Sequence, residues 1–214
     1  MLMRRILVLI VGMFFYASGA NITKNCAIGI SPIISVAYSL SLITPISMGW
    51  CSSLFNISHL FIQKALLKKE YTLSIVVGQM IISVIFSIFV DFTEIVWAFM
   101  VPEAYPMKIL QLLFGCVVLA FGVYLVVSAN FVTMTGEGVC VAIVKKTGIV
   151  FGNVKIGFDA ACVVLSLAIT LIFLHKIDGI REGTLIAAIL VGNITKIWAR
   201  ILKRPLDVIL KREA

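Results

Sequence analysis

Apolar residues dominate this chain in long runs, and polar positions fall between the runs rather than alternating with them. Four stretches read as long apolar helices at once: residues 5–24, 72–90, 108–128 and 180–199. Two more, 47–66 and 150–174, are as long but carry a polar stripe. About 20 apolar residues in a helix cross the roughly 30 Å of bilayer hydrocarbon. Two shorter segments, 32–43 and 136–146, follow the Gly-, Ser- and Thr-containing breaks "NCAIGISP" and "NFVTMTGEG". Each is too short to span alone.

The order long, break, short, long, long occurs twice, and the halves align. "TPISMGWCSSLFN" echoes "TGIVFGNVKIGFD" at a constant offset of 103 residues, which pairs Gly49 with Gly152, Gly19 with Gly122 and Val36 with Val139. Further on, Gly78 pairs with Gly183 at an offset of 105. The repeat also bears on the first residues. "MLMRR", "ILVLIVGMFFY" and "SGA" together imitate a secretory signal. Yet residues 5–24 align with 108–127, a clear span, so the reading is a retained transmembrane helix. The expected organisation is a first membrane repeat over 1–95, an interfacial linker over 96–107, a second repeat over 108–199 and a basic cytoplasmic tail over 200–214.

Charge orients this plan. If the short segments are re-entrant or half helices, each half crosses three times and the halves insert with opposite orientation. Arg4, Arg5, Lys64, Lys68, Lys69, Lys145, Lys146, Lys196, Arg200, Lys203, Arg204, Lys211 and Arg212 then share the cytoplasmic side with both termini. Lys24, Lys108, Lys176 and Arg181 lie outside with Asp91, Glu94, Glu103, Asp178 and Glu182. This arrangement obeys the positive-inside rule better than one in which the short segments span. The fold class is therefore an all-α polytopic membrane protein with two structural repeats, read as inverted, each of three transmembrane helices plus a short broken or re-entrant helix. Eight full spans with a parallel repeat is the alternative plan.

Composition agrees. The chain has 214 residues, 61% hydrophobic and 13% charged, against about a quarter charged in soluble domains. The formal charge of +8 lies largely in short runs beside apolar segments, so topology explains it better than nucleic acid does. The expected partners are the lipid bilayer of the cell membrane and an unknown small solute or ion; a homo-oligomer is compatible with the sequence. Cys26, Cys51, Cys116, Cys140 and Cys162 sit in apolar surroundings without C-x-x-C spacing and read as small buried side chains. His59 and His175 are far apart in sequence. No metal site, no cofactor fingerprint and no catalytic motif is present in the sequence, so no enzyme is expected.

The costly residues are the charges inside apolar helices. Lys155 and Asp159 are four apart, neighbours on one helical face. A lone charge near the bilayer centre costs about 3 kcal/mol or more, so the two should pair and face protein or water. Their counterparts in the first half are Ser52 and Asn56. Two polar stripes result: Ser52, Asn56, His59 and Gln63 on one helix, Lys155, Asp159, Cys162 and Ser166 on the other. They line a polar path, or they fix packing as a structural ion pair and its counterpart. Glu137 opens the second short segment, where a helix N-terminus favours a carboxylate. Its functional reading is a proton or cation site opposite Lys155. Its first-half counterpart is Ile34. In the first break, "GISP" with Ser31 and Ser35 offers hydroxyls and backbone groups to a polar ligand or to packing.

These breaks and their following helices carry a resemblance. Gly29, Ser31, Pro32 and Gly49 in one half, and Glu137, Gly138, Thr147, Gly148, Gly152, Lys155 and Asp159 in the other, resemble the motifs of YczE/YyaS/YitT-like bacterial integral membrane proteins. "GTLIAAILVG" resembles a Gly-Thr-Leu helix of that family. Ile34 and Pro45 depart from the pattern. The resemblance implies a cytoplasmic-membrane protein and names no substrate. Two functions fit: a small-solute or ion transporter with a polar site between the repeats, or a non-transporting accessory protein acting through cytoplasmic loops and the basic tail.

Overall fold

A computed structural model of the chain describes residues 2–176 and 181–210, so Asp178, Lys211 and Arg212 lie outside the described residues. Eight α-helices and one 3-10 turn make up the fold among the described residues. They are α1 (Leu2–Asn25), α2 (Pro32–Ile43), α3 (Met48–Leu67), the turn Lys68–Glu70, α4 (Leu73–Val96), α5 (Tyr105–Ala129), α6 (Thr135–Thr147), α7 (Phe151–Leu174) and α8 (Glu182–Leu210). The order long, short, long, long is present in both halves.

Five helices, α1, α4, α5, α7 and α8, are long and apolar enough to cross a membrane. Their outward surfaces are largely apolar. On α4, Gln79, Ser83, Ser87 and Thr93 are buried while Ile81, Ile88 and Ile95 are exposed. This inside-out pattern suits a lipid solvent, since only protein can satisfy the polar groups there. The chain is thus an all-helical, multi-pass integral membrane protein. Helix α3 has 20 residues but falls outside the apolar set, because Ser52, Ser53, Asn56, His59 and Gln63 dilute it. All five of those side chains are buried.

Two helices run further than the sequence suggests. Asp91 and Glu94 look like the start of a polar linker, yet α4 continues to Val96. Asp91 accepts hydrogen bonds from Ser47 Oγ at 2.6 Å and the Gly49 N–H at 2.7 Å, capping α3. Glu94 pairs with Lys24. Helix α8 likewise continues through Pro205 to Leu210, with Leu206 and Leu210 buried.

The chain forms two compact units, and each draws on both halves of the sequence. One comprises Met1–Ser31, Phe92–Phe131 and Arg181–Ala214; the other comprises Pro32–Asp91 and Val132–Ile180. In the first, α5 packs on α1 and α8. The α1–α5 crossing is antiparallel and made by glycines. A Cβ on Gly12 would overlap Leu125 and Val126, and one on Gly19 would overlap Leu119. One on Gly115 would overlap Ile22 and Thr23, and one on Gly122 would overlap Tyr16. Small residues let helix backbones approach this closely within a membrane. The contacts are reciprocal under the repeat offset of 103. Gly12 against Leu125 and Val126 maps onto Gly115 against Ile22 and Thr23, and Gly19 against Leu119 maps onto Gly122 against Tyr16.

In the second unit, α2 packs on α7 and on α3, while α6 packs on α3 and on α7. The first turns of the two short helices touch, Ile33 lying where a Cβ on Gly136 would point. Those residues are also 103 apart.

The two breaks are closed by analogous contacts. In the first unit, the Gly183 N–H donates to the Ile28 carbonyl at 2.8 Å and the Ile30 N–H donates to Thr184 Oγ1 at 3.2 Å. Gly29, at φ +157°, lies against the Gly183–Thr184 backbone, where a side chain would not fit. In the second unit, Gly78 faces Val132 and Gln79 Nε2 donates to the Thr133 carbonyl at 3.1 Å.

Candidate functional site

The polar stripe of α3 meets the first turn of α6. Thr135 Oγ1 donates to Asn56 Oδ1 at 2.9 Å. His59 Nδ1 lies 3.4 Å from the same hydroxyl. One turn on, Gln63 Nε2 donates to the Thr135 carbonyl at 3.3 Å and to Gln79 Oε1 at 3.1 Å. Gln79 Nε2 returns a bond to Gln63 Oε1 at 3.2 Å, and the Tyr71 hydroxyl donates to Gln79 Oε1. Gly138 makes this possible: a Cβ there would collide with the Gln63 amide. The "TGEG" run is thus shaped by packing as well as by charge.

Beside this network lies the α7 face. Lys155 Nζ donates to Asp159 Oδ1 at 2.5 Å, and the two side chains are 30% and 22% exposed. The Phe158 ring has two near neighbours: Lys155 Nζ is 5.7 Å from its centroid and the His59 ring centroid 5.4 Å. A Cβ on Gly136 would come within 3.7 Å of the same ring. Glu137, half-buried, occupies the next position on α6.

The second unit holds Ser52 and Asn56 on α3, Glu137 on α6, and Lys155 and Asp159 on α7, with α3 joined to α6 through Asn56–Thr135 and to α7 through the His59 and Phe158 rings. Asn56 and Ser52 are 8% and 6% exposed, yet Asn56 Nδ2 and Ser52 Oγ make no hydrogen bond among the described residues. Ser35 is engaged elsewhere. Its hydroxyl donates to the Pro32 carbonyl at 2.6 Å, and its own carbonyl accepts from Ser166 Oγ at 3.0 Å. Ser39 and Ser166 are also bonded to each other. Ser31 is buried at the end of the other unit, after a break whose Ile28 carbonyl and Ile30 N–H are already used by α8.

Sequence reasoning misses Thr135, Gln79 and Tyr71. Gln79 has a signal, since it follows Gly78 as Thr184 follows Gly183 at the offset of 105. Thr135 and Tyr71 have none, because their partners lie on other helices.

The comparisons with known proteins bear on this arrangement. One family profile matches residues 3–200, which takes in every helix through most of α8. The chain belongs to DUF6198, a family of unknown function. Comparison with curated proteins and with solved structures finds no match. Membership in DUF6198 brings no YczE, YyaS or YitT name with it, so that likeness rests on its own short motifs. For this DUF6198 chain, function has to be argued from the polar centre of the second unit.

Proposed function

We propose that the protein is a transporter for a small solute or ion, with its site formed by Ser52 and Asn56 on α3, Glu137 on α6, and Lys155 and Asp159 on α7. The observation that carries this is the Lys155–Asp159 ion pair inside an apolar helix, in one unit with Glu137 and with two polar groups, Asn56 Nδ2 and Ser52 Oγ, that have no protein partner among the described residues. Charges within a membrane domain are expensive and usually mark substrate or ion pathways. A purely structural cluster would bond its polar atoms internally. The neighbouring Gln63–Gln79–Tyr71 network does so, whereas Asn56 Nδ2 and Ser52 Oγ are not fully enclosed and have no protein partner among the described residues.

The transporter plan is an inverted repeat of six crossings in the cell membrane, with both termini cytoplasmic. Its support is the antiparallel α1–α5 crossing with reciprocal glycine contacts, the matched α2–α7 and α6–α3 packing, and the Ile33–Gly136 contact between equivalent positions. Such folds place substrates at broken helices near the repeat interface. Helix α3 crosses despite its polarity because its polar face is covered by α6.

Thiol labelling tests the site. Asn56→Cys and Asp159→Cys, each in a background lacking the five native cysteines, should react with a small water-soluble thiol reagent in native membranes. Protection of both, with Lys68→Cys reactive as a control, would reject a water-accessible site. That result would leave the accessory reading, in which the exposed basic residues Arg200, Lys203 and Arg204 of α8 bind a partner.

A further inference from the structure

One end of the first unit concentrates positive charge that the chain does not neutralise. Helix α1 begins there, and α5 and α8 end there: Arg4 Nη1 donates to the Ile209 carbonyl at 3.0 Å, and Arg5 Nη1 to the Asn130 carbonyl at 3.5 Å. Arg200, Lys203 and Arg204 follow on α8, all exposed. The one acid of residues 200–210 is Asp207. None of these five cations makes an ion pair among the described residues, whereas Lys24 has Glu94 and Lys145 has Glu70. The carbonyl bonds occupy one of the five N–H donors of each arginine and bring no net negative charge. Arg5 is half-buried, and its Nε is enclosed without an acceptor. A guanidinium drawn into protein is stabilised by an anionic partner. The positive-inside rule accounts for basic residues at this end, but not for the burial of Arg5 beside them.

The faces of α8 say what kind of anion fits. Helical spacing puts Leu206 and Leu210 on one stripe, which is buried against the unit. Arg200, Lys203 and Arg204 fall on a second stripe. Ile197, Ile201 and Val208 fall on a third, beside the basic one, and all three are exposed. On α1, Met3 and Leu7 are exposed next to Arg4. Helix α8 has 29 residues, about 43 Å at 1.5 Å each, against roughly 30 Å of hydrocarbon, so its last turns reach the headgroup layer. Apolar and cationic groups therefore stand together at the depth of the lipid phosphates. A soluble anion would meet the cations alone. A phospholipid brings an anionic headgroup and acyl chains to the same place.

We propose that this end of the first unit is a binding site for an anionic phospholipid, whose headgroup phosphate meets Arg4, Arg5, Arg200, Lys203 and Arg204 while its acyl chains lie along the exposed stripe of α8. The bound lipid ties the start of α1 to the end of α8, where the chain itself supplies only the Arg4–Ile209 hydrogen bond and the packing of Leu206 and Leu210. The site is independent of the polar residues of the second unit and of any transport there.

The test is lipid titration of the purified, delipidated full chain in detergent, with bound lipid counted by native mass spectrometry and stability read as melting temperature. Phosphatidylglycerol should bind and raise the melting temperature. Phosphatidylcholine and inorganic phosphate at the same concentrations should do neither. Arg5→Gln should weaken phosphatidylglycerol binding about fivefold, and the triple variant Arg200→Gln, Lys203→Gln, Arg204→Gln about a hundredfold, at roughly fivefold per charge lost near the headgroups. Lys68→Gln with Lys146→Gln, exposed cations of the other unit, should bind as wild type does. Equal binding of the two lipids overturns the proposal and leaves the basic face to a protein partner. An equal response to inorganic phosphate overturns it in favour of a free anion. Equal weakening in the control pair overturns it too, since overall charge would then be the cause. If Arg5→Gln does not fold, the triple variant, whose three side chains are exposed, decides.

Discussion

Gly19 on α1 lies against the backbone of Leu119 on α5, and the equivalent glycine, Gly122, lies against Tyr16. With Gly12 and Gly115 these residues let two antiparallel helices meet at backbone distance. Side chains at these points have no room to turn away, because the obstacles are main chain as well as Cβ atoms.

Substitution should therefore sort the glycines sharply. Gly19→Leu or Gly122→Leu should cost at least about 1–3 kcal/mol, the usual penalty of overpacking, read as a lower melting temperature in detergent. Gly152→Ala and Gly192→Ala should leave stability unchanged or slightly higher, since nothing lies within 4 Å of either added Cβ. Equal losses at all four sites would contradict the packing described.

The amide pair Gln63–Gln79 ties α3 to α4 and both to the second break. Gln79→Leu strands the Tyr71 hydroxyl, the Thr133 carbonyl and Gln63 Oε1. Each buried group left unpaired costs about 1–3 kcal/mol. The double variant Gln63→Leu with Gln79→Leu should be less destabilised than the sum of the singles. Additive losses in that cycle would show that the amides do not act as a pair.

Membrane orientation can be checked at Lys68, after α3, and Glu103, before α5. One crossing, α4, separates them. Cysteines introduced at these positions should label from opposite sides, Lys68→Cys from the cytoplasm. Labelling from the same side would defeat the six-crossing plan.

Much of this fold is legible in the sequence, and the reasons are specific. Pro32 after "GIS" marks the start of α2, and the polar face of α3 announces its burial. Gly49 and Gly152, paired by the repeat, are legible as equivalent positions but not as unequal ones: Gly49 packs against Ser87 and Asp91, whereas Gly152 faces open space. The end of α4 is hidden because Asp91 and Glu94 signal a linker locally. Their capping and ion-pair partners, Ser47, Gly49 and Lys24, are distant in sequence. At the site, Lys155 and Asp159 are readable as an i,i+4 pair, and Glu137 as a helix-start carboxylate. The link from Thr135 to Asn56 and His59 is not, since hydrogen bonds between helices depend on how the helices pack.

Whether Lys155, Asp159 and Glu137 form a hydrated site or a dry packing element is tested most directly by melting temperatures in detergent. The variants are Lys155→Met, Asp159→Leu and the double change. In a hydrated site, the surviving charges stay solvated. Each single variant should then lie within about 1 kcal/mol of wild type, the scale of an exposed ion pair, and the double variant should gain nothing over them. A dry pair behaves otherwise. Each single change would cost roughly 3–5 kcal/mol, and the double change to apolar residues would restore the loss. Large single losses with full recovery in the double variant would contradict the transport site and leave Lys155 and Asp159 as packing elements.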